Sequence, residues 1–121
     1  MTNKKKEFVY NLFYHKYDMI GKFNYVVKVM RSCIGKIENE DDMKKSLERL
    51  RVAYDWGEKA IGKCYVSISK ELENKYDICG SIETAAYAYN RTKELNSLLT
   101  SEYTLLLKNL HDIKKDIILA S

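Results

Sequence analysis

The sequence predicts one all-α domain, an antiparallel up-down-up bundle of three long helices. Three observations point there. The 121 residues include no proline, the residue that breaks helix interiors by removing a donor and clashing with the preceding turn. Apolar residues recur at steps of three and four along most of the chain, which places them on one helix face. Two short stretches, near 35–39 and 74–81, separate the three rows. Hydrophobic residues make up 45% and charged residues 31%, a balance that fits a globular core under a charge-rich surface and argues against disorder.

The first segment carries Val9, Phe13, Ile20, Phe23, Val27, Met30, Ile34 and Ile37, with only Lys16 interrupting the row. It predicts one continuous helix, capped at its start by Thr2 or Asn3 and closed by Gly35 in a left-handed conformation.

Asn39 then reads as the N-cap of a second helix. Glu40, Asp41 and Asp42 fill its first turn, where carboxylates meet the positive end of the helix dipole. The apolar row resumes with Met43, Leu47, Leu50, Tyr54, Gly57, Ile61, Cys64 and Ile68 and predicts a helix to about Asn74.

Residues 74–80 read as a connector, Gly80 as its stop and Ser81 as the third N-cap, with Glu83 in the first turn. Ile82, Ala85 and Tyr89 open the third row, followed by Leu95, Leu99, Tyr103, Leu106, Leu110, Ile113 and Ile117. Lys114 and Lys115 suit the negative end of that helix. The alternative is a four-helix bundle in which the third segment breaks near 96–101 and Ser101 caps a fourth helix.

Ala53, Gly57, Ala60 and Cys64 form a stripe of small residues on the second helix. Gly57 and Gly62 each cost about 1 kcal/mol of helix propensity relative to alanine. Close approach of a large neighbour would offset that, and the register predicts Tyr17 or Phe23 as that neighbour. The stripe, flanked by Trp56 and Tyr65, is expected to be core or a groove left for a partner.

The composition gives little chemistry. His15 and His111 are the only imidazoles and neither has the spacing of a metal motif. His15 has Asp18 three residues on, on the same predicted helix face, and His111 lies beside Asp112 and Lys115. No glycine-rich phosphate loop is present. Glu71, Glu73 and Asp77 have no matching acidic cluster on a facing helix. The expectation is therefore no enzyme, no cofactor and no metal. Asn90-Arg91-Thr92 matches a glycosylation sequon. Cys33, Cys64 and Cys79 form no CxxC pair and suit a reducing, cytoplasmic setting. No apolar run approaches the roughly 20 residues of a membrane span.

The formal charge is +4. Lys4, Lys5 and Lys6 supply three of those charges, so the body is nearly neutral. Elsewhere Lys44, Lys45, Arg49 and Arg51 share a helix with Glu40, Asp41, Asp42 and Glu48, and Lys59 and Lys63 sit with Asp55 and Glu58. That mixture predicts a solvated helix surface laced with weak ion pairs.

Tyrosine is the unusual feature, with ten residues. Tyr10, Tyr14 and Tyr17 step at i, i+4 and i+7 beside the first apolar row, and Tyr25 follows. These rings either roof the core with their hydroxyls in water or form an exposed face for another protein or a second copy of the chain. The expected function is non-enzymatic protein binding, as an inhibitor, adaptor or scaffold, with Tyr10, Tyr14, Tyr17 and Tyr25 as the binding residues. The composition suits a phage, plasmid or other mobile-element accessory factor directed at a host or defence complex. The alternative is a nucleic-acid-binding accessory protein using Lys4, Lys5, Lys6, Lys16 and Lys22 among those rings.

Overall fold

Helix α1 (Asn3–Asn11) starts where the Thr2 hydroxyl accepts from the Lys5 backbone N–H at 3.3 Å, satisfying one of the donors that a helix start leaves unpaired. In the computed structural model, which describes residues 2–74 and 82–120, it leads into a π-helical turn (Leu12–Lys16), then α2 (Met19–Ser32), α3 (Glu40–Asn74) and α4 (Ile82–Ala120). The fold is an all-α bundle. Helix α3 runs antiparallel to α2, with Tyr25 against Trp56 and Tyr17 near Cys64. Helix α4 runs parallel to α2, with Met19 near Thr92 and Arg31 bridged to Glu102. The up-down-up order is the expected one. The connector residues 75–80 and the Ser81 cap, with Cys79 and Asp77, lie outside the described residues.

The first helix is not continuous. The Tyr17 N–H reaches back five residues to the Leu12 carbonyl at 3.1 Å, the extra residue of a π-bulge. Asp18 then adopts φ 48° and ψ 50°, the sole positive φ among the described residues. That left-handed conformation suits a short polar side chain that can hydrogen-bond locally. The Asp18 carboxylate accepts from the Gly21 N–H at 3.0 Å and so caps α2. The break frees the Tyr17 carbonyl, which accepts from the Lys22 ammonium and, at 3.5 Å, from the Cys64 thiol.

Of the expected row of α2 only Met30 is buried; its other buried positions lie one residue before expected ones or, at Cys33, beside Ile34 at the helix end. Met19, Val26, Met30 and Cys33 are buried, while Ile20, Phe23, Val27 and Ile34 are half-buried and pack against that core. The helix also closes before Gly35. Cys33 donates its N–H to Val29 and Met30 and its thiol to Val29, and the Ser32 hydroxyl adds a bond to Val29 at 2.7 Å. The terminal carbonyls are thus satisfied without a left-handed glycine. Gly35 has no positive φ.

Helix α3 begins as expected. The Asn39 side chain accepts from the Asp42 N–H at 2.9 Å, and the Asp42 carboxylate accepts from the Glu38 N–H at 3.1 Å, a reciprocal arrangement close to a capping box. Its buried face is Met43, Ser46, Leu50, Gly57, Ile61, Cys64, Ile68 and Leu72, with the expected Leu47 and Tyr54 half-buried beside it. A Cβ on Gly57 would lie 2.6 Å from Val26 Cγ1 and 3.2 Å from Leu99 Cδ2. The close neighbours are therefore Val26 and Leu99, not Tyr17 or Phe23. Gly62 is exposed and a Cβ there would meet nothing within 4 Å.

Helix α4 is one helix. At Asn96–Ser101, where a break was the alternative, Leu95 and Leu99 are buried. Thr100 Oγ1 lies 2.7 Å from Tyr54 Oη, and Tyr103 stacks on Tyr54 at 4.3 Å. Contacts with α3 thus hold the segment where its propensity is weakest. Its first turns, however, bury Thr84, Ala88 and Thr92, and leave Ile82, Ala85 and Tyr89 exposed. The Thr92 hydroxyl donates to the Ala88 carbonyl at 2.8 Å, which satisfies it inside the core. Small residues are needed there because Phe13 and Met19 crowd that end of the bundle, Phe13 edge-on to Tyr87 at 6.3 Å. No helix is long and apolar enough to cross a membrane among the described residues.

Candidate interaction surface

The structure separates the four tyrosines. Tyr10 is exposed and stacks on Tyr14 at 4.2 Å. Tyr14 is half-buried, with its oxygen 3.5 Å from an Arg91 nitrogen of α4. Tyr17 is half-buried on the opposite side, its hydroxyl donating to Glu71 of α3 at 3.0 Å. Burial, with this bond to Glu71 next, raises its phenol above the ordinary range. The helix break turns these rings apart. Tyr10 and Tyr14 line the α4 side, Tyr17 is fastened to α3, and Tyr25 lies farther along α2.

Tyr25 is 60% exposed and meets Trp56, itself 51% exposed, edge-on at 6.1 Å. Their rings stand over a groove of about 580 Å³ between α2 and α3. Its walls are Val26, Val29 and Cys33 on one side and Val52 and Ala53 on the other, with Glu48 and Arg49 at the rim. Val52 is 52% exposed. Burial raises the Cys33 thiol, against an opposing pull from the Arg49 charge. Of the expected binding residues, only Tyr25 belongs to this groove. Trp56 flanks the small-residue stripe as expected, and Ala53 of that stripe is in the groove wall while Gly57 and Cys64 are core. Val52 was not anticipated, and its signal in the sequence was its four-residue spacing from Trp56 on the face away from the core.

The five lysines of the alternative reading are also dispersed. Lys4, Lys5 and Lys6 lie in the first turns of α1. Lys16 forms an ion pair with Glu71, and Lys22 is bound to the Tyr17 carbonyl.

Other candidate chemistry is not assembled. Asp18 does not face His15, because its carboxylate is turned onto Gly21. His15 packs edge-on to Tyr10 at 5.8 Å. Among the described residues no three His, Cys, Asp or Glu side chains are grouped to hold a metal ion. In the Asn90–Thr92 sequon, Thr92 is buried. Comparison with protein-family models, curated proteins and solved structures finds no match.

Proposed function

We propose that this chain is a non-enzymatic binding protein that presents the α2/α3 groove to another protein and acts as an inhibitor, adaptor or scaffold. The observation that carries this reading is the cluster of Tyr25, Val52 and Trp56, each more than half exposed over an apolar floor. Paired aromatic rings beside a concave apolar surface are the usual anchors of protein interfaces. A reducing, cytoplasmic setting fits the buried Cys33 and Cys64 thiols.

The test is site-specific photo-crosslinking from position 52 in the native cells. The expected outcome is a discrete adduct, absent when the photo-reactive residue is at exposed Lys108, and lost in Tyr25→Ser and Trp56→Ser variants that keep the parent melting temperature. An adduct pattern indistinguishable from that of position 108 would overturn the reading.

A further inference from the structure

The outer face of α3 carries a second heptad row, parallel to the core row and fully outside it. Lys45, Arg49, Lys59, Lys63 and Lys70 are its cations, and Val52, Trp56 and Val66 its apolar members. Together they step by four and three without a fault, and every one of them is exposed. From Lys45 to Lys70 the row is roughly 37 Å long at 1.5 Å per residue.

The carboxylates beside the middle of the row have partners, while Asp41 and Glu73 lie beyond its two ends. Glu48 is held by Arg51 and Asp55 by Lys59. On the side toward α2, the Asp42 carboxylate is taken by the Glu38 N–H and that of Glu71 by Lys16 and Tyr17. Lys45, Arg49, Lys63 and Lys70 have no ion pair among the described residues. The helix as a whole mixes both signs, yet this face offers four free cations around half-exposed valines and a tryptophan.

We propose that this row, with the α2/α3 groove beside it, docks an acidic amphipathic helix of a partner protein. The inference rests on the protein-binding reading above and names the chemistry of the partner. A three-four repeat is the spacing at which one helix offers side chains to another. Apolar residues of the guest helix meet Val52, Trp56 and Val66, and its flanking carboxylates meet Arg49, Lys45, Lys63 and Lys70. Arginine at the groove rim suits bidentate capture of a carboxylate. A nucleic acid fits this face less well. Its two rings, Tyr25 and Trp56, meet edge-on instead of offering successive parallel platforms. Val52 and Val66 fill the neighbouring positions of the row, and single-strand binding depends on rings stacked base after base along a charged groove.

Trp56 is the sole tryptophan and sits in the middle of the row, so its emission reports the docking. The probe is a synthetic peptide of about four heptads, with leucine at its core positions and glutamate beside them, titrated into the full chain. The controls are a peptide of the same composition in scrambled order, one with lysine for glutamate, and a single-stranded DNA. The expected result is a blue shift of Trp56 with the acidic amphipathic peptide alone, weakened about tenfold by Arg49→Glu with Lys63→Glu and by raised salt. Lys108→Glu, on an exposed position of α4, should leave it unchanged. Equal binding of the scrambled or lysine peptide, or tighter binding of DNA lost in the same double variant, would overturn the proposal. If no peptide binds while the crosslink from position 52 persists and depends on Tyr25, the docking helix is not acidic and the protein-binding reading stands. Loss of both signals removes both.

Discussion

The Asp18 carboxylate and Gly21 share one space: the Gly21 N–H donates to it at 3.0 Å, and a Cβ on Gly21 would fall 2.6 Å from its carboxyl carbon. The cap therefore requires a residue that tolerates the left-handed conformation at 18 and no side chain at 21. That pair turns one expected helix into two.

Asp18→Ala loses the cap and keeps the strained conformation, so it should cost about 2 kcal/mol in urea unfolding. Asp18→Gly relieves the strain and should cost only a few tenths. Gly21→Ala expels the cap but gains helix propensity, leaving it nearly neutral. In the Asp18→Gly background the same change should stabilise by about 1 kcal/mol. Additive single and double variants would contradict the shared-space account.

Gly57 and Gly62 should respond with opposite signs. Gly57→Ala forces its Cβ onto Val26 and Leu99, and overpacking of that kind costs about 1–3 kcal/mol. Gly62→Ala meets open space and should stabilise by up to about 1 kcal/mol. Thermal melts of the two variants check this directly.

Alkaline pH should loosen the bundle through Tyr17 and Tyr54. Burial and a hydrogen bond to Glu71 raise Tyr17, and burial and a bond to Glu58 raise Tyr54. A phenol raised on folding adds stability that is fully present below its unfolded value near 10 and is lost as pH climbs through the folded value. Ultraviolet titration should find these two phenols ionising late, and Tyr17→Phe should remove one of them and leave Tyr54 ionising as before. Stability that is flat from neutral pH to well above 10 would contradict this.

Tyr25 and Trp56 should be dispensable for folding. Both are more than half exposed, so Tyr25→Ser and Trp56→Ser should each move stability by no more than about 0.5–1 kcal/mol. Truncating buried Met30 or Leu50 to alanine should cost about 2–5 kcal/mol. A large loss from the surface pair would mean that their contact belongs to the core.

The core of α3 was legible because its apolar row is long and uniform, and its start because Asn39 and Asp42 are strong local signals. Thr84, Ala88 and Thr92 were not legible, because small or polar residues leave no periodicity of hydrophobicity, and a threonine such as Thr92, satisfied by the Ala88 carbonyl, buries as well as an apolar residue. The groove was half legible. Tyr25 stood out by type, but its meeting with Trp56 depends on how α2 turns after Asp18.

By itself the sequence determined the helical class, the start of α3 at Asn39, and the face of α3 that goes inward. These depend on propensity, capping and periodicity, which act over one or two turns. The tertiary structure alone decided the break at Tyr17–Asp18, the neighbours of Gly57, and the separation of Tyr10 and Tyr14 from Tyr17 and Tyr25. Each of those depends on which side chains from distant segments compete for the same space, and a linear pattern carries no record of that competition until the helices pack.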